Sequence, residues 1–176
     1  MRYKGILFDL DGTLLDTIDD IADAVNYAMR KYSLPEWSVS DVKSFVGNGL
    51  ENLMTKCIPG GYDHPHFMQI YTDFKAFYID HSCIKTKPYD GIVELLERLS
   101  AEGRKMAVIS NKNDAAVKSL NRLFFDQYID VALGERQGVP KKPSPDAVFA
   151  AAEMIEAEQK DCVYIGDSEV DIVTAQ

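Results

Sequence analysis

The chain has 176 residues, 46% of them hydrophobic, enough for one large domain or for a small core that carries an insertion. Its 28 acidic and 19 basic residues leave a formal charge of −9. That balance argues against a general nucleic-acid surface, yet allows an anion site in which a few cations and a metal are focused in one cleft. Cys57, Cys83 and Cys162 are widely spaced and fit no zinc pattern, so reduced thiols are expected. Met1 is followed by no signal peptide, and no apolar run approaches the roughly 20 residues of a membrane span. A soluble cytoplasmic protein with no membrane or nucleic-acid partner is the expectation.

Residues 4–9 read as a buried strand, ending in Asp9 and Asp11. Alternate strand residues point the same way, so the two carboxylates should project together, where they repel unless a cation or a shared proton relieves them. From Thr17 the rhythm changes to a helical stripe, Ile18, Ile21, Ala22, Val25, Ala28, Met29 and Tyr32, ended by Leu34-Pro35. Ser40-Asp41 is placed to cap a second helix running to Phe45. Gly47-Asn48-Gly49 interrupts before the apolar segment Leu50, Leu53, Met54, and Pro59-Gly60-Gly61 makes a turn before an aromatic-rich helix over residues 65–81. Its Phe67, Tyr71, Phe74, Phe77 and Tyr78 are expected to pack the helix rather than line a ligand site, and Trp37 to anchor neighbouring helices.

Beyond Pro88 strands and helices alternate. Ile92, Leu95, Leu96 and Leu99 form a helix stripe closed by Gly103, and residues 105–110 form the next strand. A helix over 114–125, a strand over 128–133, a helix opened by Ser144-Pro145, a strand at 162–166 and a helix from Glu169 follow. This pattern predicts an α/β fold with a doubly wound, parallel, Rossmann-like sheet. The core is expected to comprise residues 1–16 and 83–176, and the all-helical insertion residues 17–82. The last helix is short and no further strand follows, so the core reads as truncated. Lowered stability, or self-association through the uncovered sheet edge, is the corresponding expectation.

In such sheets ligands bind beyond the carboxyl ends of the strands, and the polar residues fall there. Ser110-Asn111 can seat an anion or simply cap a helix. Lys141-Lys142 precedes a rigid helix start, where a fixed ammonium can offset repulsion between a carboxylate and a phosphate. Gly166-Asp167-Ser168-Glu169-Val170-Asp171 places hard oxygen donors suited to Mg²⁺ at the end of a strand.

Taken in order, Asp9-x-Asp11-Gly12-Thr13, strand-Ser110-Asn111, Lys142-Pro143-x-Pro145-Asp146 and Gly166-Asp167-Ser168-x-x-Asp171 resemble the four motifs of the haloacid dehalogenase superfamily of phosphotransferases. Residues 17–82 resemble the helical cap inserted after the first strand in one subgroup. Within that subgroup, residues 45–50 and 109–112 look most like phosphoglycolate phosphatases. The resemblance implies a Mg²⁺-dependent phosphatase acting on a small organic phosphomonoester, 2-phosphoglycolate being one candidate. Asp9 would be the nucleophile and Asp11 the general acid and then base. Thr13 would orient Asp11, Ser110 and the Asn111 backbone would hold phosphoryl oxygens, and Lys142 rather than Lys141 would bridge them to Asp9. The Asp9 side chain, the Asp11 carbonyl and Asp167 would ligate the metal, with Asp171 as a ligand or a support. In the cap, Gly47 and Gly49 would either form a tight loop reaching into the site, with Asn48 offering polar contacts to substrate, or simply break the helix. A sugar phosphomutase resembling beta-phosphoglucomutase is the nearest rival. A non-catalytic interaction protein on a phosphatase-like fold is the rival from another class.

Overall fold

The computed structural model describes residues 3–176. Two compact units emerge, one formed by the described residues up to Asp16 together with Pro88–Gln176, the other by Thr17–Lys87.

The first unit is built on four parallel strands: β1 (Gly5–Phe8), β4 (Lys105–Asn113), β5 (Val131–Glu135) and β6 (Cys162–Ile165), in the spatial order β5-β4-β1-β6. Alternation along the strands feeds two apolar layers. Ile6, Phe8, Met106 and Val108 pack with Leu96 and Leu99 of α5 (Ile92–Ala101) and with Val117 and Leu120 of α6 (Asp114–Phe124). Leu7, Ala107 and Ile109 face the other way, against Ala151 and neighbouring residues of α7 (Asp146–Met154). Helices on both faces make the sheet doubly wound, as the strand–helix alternation predicts. A short α8 (Glu169–Ala175) follows β6.

Register aligns the ends that carry the polar residues. Phe8 lies opposite Val108 on one side and Ile165 on the other. Asp9 and Asp167 therefore follow the ends of β1 and β6 at nearly one level, with Ser110 of β4 two residues past the Phe8 partner Val108, next to the point where the strand order turns back past β1.

Three element boundaries differ from those expected. The strand predicted over 128–133 starts at Val131, because the amides of Tyr128 and Ile129 turn back onto the Phe125 carbonyl (2.9 Å each) and the Asn121 amide donates to the Ile129 carbonyl. The strand after Lys105 runs past Ser110 to Asn113, with an irregular register between Ile109 and Asn113. The helix after Ser144 begins at Asp146, with Pro145 rather than Ser144 in the capping position.

The second unit is helical: α1 (Ile18–Lys31), α2 (Val39–Phe45), α3 (Leu50–Cys57) and α4 (Phe67–His81) enclose their own core, which includes Met29, Leu53, Met54, Ile70 and Phe74. Two-residue strands, β2 (Leu15–Asp16) and β3 (Lys87–Pro88), mark where the chain departs into it and returns. The cap of α2 is Ser38 rather than Ser40. Ser38 Oγ accepts from the Asp41 amide (3.1 Å) while the Asp41 carboxylate accepts from the Ser38 amide (3.2 Å), a reciprocal box that outcompetes the later serine. Phe67, Phe74 and Tyr78 are buried, with Tyr71 and Phe77 packed against them. Trp37 bridges helices as expected, exchanging bonds with Asn26 and donating its indole N–H to the Cys57 carbonyl. No helix among the described residues is long and apolar enough to cross a membrane.

Asp20 has a structural role that its sequence position did not announce. Its buried carboxylate accepts from the amides of Ile84, Lys85 and Thr86 and from the Thr86 hydroxyl, at 2.8–3.1 Å. One side chain of α1 thus satisfies three consecutive amides of the returning chain. Asp20→Ala strands those donors, and a loss of about 2–4 kcal/mol is expected by urea unfolding, together with loss of hydrogen-exchange protection at residues 84–86. Unchanged protection there contradicts the assignment.

Candidate active site

The carboxyl edge of the sheet gathers four acids and two buried lysines. Asp9 continues the β1 ladder, its amide donating to the Ile165 carbonyl at 2.8 Å, and its side chain is almost wholly buried. The turn after it is built around Gly12, whose φ of +87° and whose closeness to Asp167 both require glycine. A Cβ there would lie 2.3 Å from an Asp167 carboxylate oxygen. Gly166 serves the same end, since a Cβ on it would lie 2.3 Å from Asp171. These two glycines let the first strand's turn and the last strand's acids approach each other.

Lys142 is the hub. Its side chain is 4% exposed, and its Nζ lies 2.8 Å from Asp9 Oδ1, 2.7 Å from Asp171 Oδ1 and 3.0 Å from the Tyr164 hydroxyl. Tyr164 in turn donates to Asp171 at 3.0 Å. Asn111 fixes the lysine's backbone: its side-chain amide donates to the Lys142 carbonyl (3.0 Å) and accepts from the Lys142 amide (2.9 Å). Lys141, by contrast, turns outward to Glu135 and is 40% exposed. Of the two adjacent lysines, Lys142 is the one paired with Asp9.

Asp11 takes a different partner. Lys112, with a side chain 3% exposed, places Nζ 2.9 Å from Asp11 Oδ1. The two carboxylates that alternate at the strand end are thus separated electrostatically, each facing its own ammonium. Burial pushes the Asp9 carboxyl up to about 7, with Lys142 opposing the rise and the charges of Asp171 and Asp11 adding to it. Asp167 sits on the open side and is also raised, by desolvation first and then by Asp171. Asp171 behaves oppositely. Burial opposes its ionisation, but Lys142 and hydrogen bonds from Ser168 hold it below the usual carboxylate range. Burial and the nearby carboxylates hold the Tyr164 phenol far above its ordinary value, so it stays protonated.

Oxygens of Asp9, Asp167 and Asp171 lie within 4.8 Å of one another. Clustered hard oxygens, two of them on carboxyls whose ionisation is disfavoured without a cation, suit a divalent cation such as Mg²⁺. Asp171 is the least available of the three, because Oδ1 already accepts from Lys142 and Tyr164, and Oδ2 from the Ser168 amide and hydroxyl. The bond from the Ser168 amide, with that from the Asp171 amide to Ser168 Oγ (3.4 Å), forms the capping box of α8.

Other expected roles are redistributed. Ser110 and Asn111 do not cap α6, a task taken by Asn113 through the amides of Ala115 and Ala116. The Ser110 hydroxyl accepts from the Lys112 amide (3.2 Å), and the Asn111 side chain bonds the Lys142 backbone. Thr13 makes no hydrogen bond to Asp11. Its hydroxyl is buried without a partner among the described residues. Gly47 (φ +126°) and Gly49 (φ +84°) flank Asn48 within the helical unit, with Gly49 capping α3. Lys112 and Tyr164 were not anticipated. Position i+2 from Ser110 on the same strand, and a lone phenol two residues before Gly166, were the available signals.

Comparisons with known proteins agree with this geometry. The haloacid dehalogenase-like hydrolase family matches residues 6–176. The phosphoglycolate phosphatase of Aquifex aeolicus is 34% identical over 169 residues, covering 95% of this chain and 77% of its own length. That of Neisseria meningitidis is 30% identical over 180 residues, covering 99% and 77%. Among solved structures, a candidate phosphoglycolate phosphatase from Lactobacillus delbrueckii superposes with a TM-score of 0.94 at 36% identity, covering 99% of this chain and 82% of its own. The relatives are thus longer than this chain. A parallel sheet with four acids and a buried lysine at its carboxyl edge, together with these matches along nearly its whole length, places the chain in the haloacid dehalogenase-like hydrolase family, as a phosphatase.

Proposed function

We propose that the protein is a Mg²⁺-dependent phosphomonoesterase that works through an aspartyl-phosphate on Asp9, with 2-phosphoglycolate as its substrate. The observation that carries this reading is the buried Asp9 held at 2.8 Å by Lys142, at the register-aligned end of β1. A carboxylate fixed in this way is oriented for in-line attack, and Lys142 lowers its repulsion toward a phosphate dianion. The names of the relatives support the substrate.

In this mechanism Asp9 attacks phosphorus while Asp11 delivers a proton to the departing ester oxygen. Asp11 then takes a proton from the water that attacks the phosphoryl group, which regenerates Asp9 and releases phosphate. Ser110 and the Asn111 backbone hold phosphoryl oxygens, and Thr13, whose hydroxyl has no partner among the described residues, lies in the same turn as Asp11. Asp9, Asp167 and the Asp11 carbonyl would hold Mg²⁺, while Asp171 positions Lys142. When bound, the cation neutralises charge shared by the nucleophile and the phosphoryl oxygens. We assign the helical insertion, with Gly47 and Asn48, to selecting the leaving group.

Phosphate release from 2-phosphoglycolate tests the reading. Turnover is expected with Mg²⁺, none with EDTA, and Asp9→Asn should lower kcat on the order of 10³-fold or more. Turnover that survives Asp9→Asn rules out the mechanism, and return of the phosphoryl group to a sugar instead of water identifies a mutase.

A pH dependence follows from burial of Asp9. Below about 7 its carboxyl holds a proton that a cation must displace. Calorimetric Mg²⁺ affinity should therefore weaken by up to about tenfold per pH unit below that value and level off above it. An affinity that does not change across this range contradicts the assignment of Asp9 as a ligand.

A further inference from the structure

The site contains two buried ammonium groups, and the phosphoryl chemistry uses only one of them. Lys142 spends its three N–H donors on Asp9, Asp171 and Tyr164. Lys112 is the other, 3% exposed and 2.9 Å from Asp11 Oδ1. Burying a lysine carries a desolvation cost that a solvent-facing ion pair avoids, so its placement calls for an explanation at the site itself.

Its neighbours locate it relative to the reaction. Ser110, whose hydroxyl accepts from the Lys112 amide, is assigned to the phosphoryl group. Asp11 is assigned to the departing ester oxygen. An ammonium in contact with Asp11 therefore lies on the leaving-group side of phosphorus. The atom bonded to the ester oxygen is the first carbon of the leaving group, and a charged substituent on that carbon comes within reach of the same ammonium.

We propose that Lys112 is the specificity-determining cation of this site and that it receives a carboxylate carried on the first carbon of the leaving group. The inference rests on the phosphomonoesterase reading above and assigns to one residue of this chain the choice of a leaving group that carries a carboxylate. An acidic chain repels an additional anion unless a fixed cation meets it, and Lys112 supplies that cation. A neutral leaving group gains nothing from Lys112, and a cationic one is repelled.

Three two-carbon esters of similar size separate these cases: 2-phosphoglycolate, ethyl phosphate and phosphoethanolamine. Steady-state phosphate release is measured with Mg²⁺ for the unaltered protein, Lys112→Met and Lys112→Arg. The unaltered protein should prefer 2-phosphoglycolate to ethyl phosphate, and both to phosphoethanolamine. Lys112→Met should reduce the ratio of kcat/KM between the first two esters by about 10- to 100-fold, chiefly through KM for 2-phosphoglycolate. Lys112→Arg should retain most of that ratio. A purely structural lysine would lower both esters by the same factor, and that result overturns the proposal. Lys112→Gln supplies the same ratio if the methionine variant fails to fold. No phosphate release by the unaltered protein from any of the three esters would instead overturn the phosphomonoesterase reading itself.

Discussion

The arrangement of the site depends on one buried ammonium. Lys142 draws oxygens from β1, β6 and α8 to a single point: Asp9, the Tyr164 hydroxyl and Asp171. Two carboxylates within bonding distance of each other's partner would not both stay ionised in a dry cleft, and the lysine makes that tolerable. The converse holds as well. A lysine at 4% exposure survives there only because its partners satisfy every donor. Asn111 closes the arrangement by pinning the lysine's backbone on both sides, so the motif usually read as an anion seat also acts as a clamp.

Around this hub the fold does little more than bring chain segments to one level. Parallel pairing on both sides of β1 aligns the ends of β1 and β6 beside β4, and two glycines remove the Cβ atoms that would hold Asp167 and Asp171 away. The acids are then sorted by their partners. Asp171 is bound by donors and stays ionised, Asp167 faces outward and its ionisation is disfavoured, Asp9 is buried and only partly compensated, and Asp11 belongs to Lys112. Four carboxylates of one chemical type thereby acquire different surroundings, set by desolvation and, for Asp9, Asp11 and Asp171, by the lysine each one meets.

Much of this was legible in the chain. Apolar runs bounded by Gly and Pro marked β1, β4 and β6, and the helical period marked α1, α5 and α6, because burial on one face or two leaves a direct trace in the pattern. The order of the motifs pointed to Asp9, Asp11, Lys142 and Asp167. Other features depend on contacts that no local pattern records. The start of β5 is decided by amides returning to Phe125, and the start of α2 by competition between two serines for one capping box. Asn111 and Asp171 could be named but not their partners, since both are engaged by a lysine about thirty residues away in the chain. Lys112 stood only as the last residue of the stretch 109–112, just past the strand expected to end at Ser110, and Tyr164 passed as an ordinary strand residue. Only the sheet register shows that one meets the second carboxylate and the other the hub.

The central claim is that Lys142 governs the charge of Asp9, and a carboxyl-carbon NMR titration of metal-free protein labelled at aspartate tests it most directly. Asp9, assigned by comparison with Asp9→Asn, should titrate near 7 in the unaltered protein and higher still in Lys142→Met, where burial acts without the opposing ammonium. An Asp9 that titrates like an ordinary surface carboxylate, or whose midpoint is unmoved by loss of Lys142, would contradict the account.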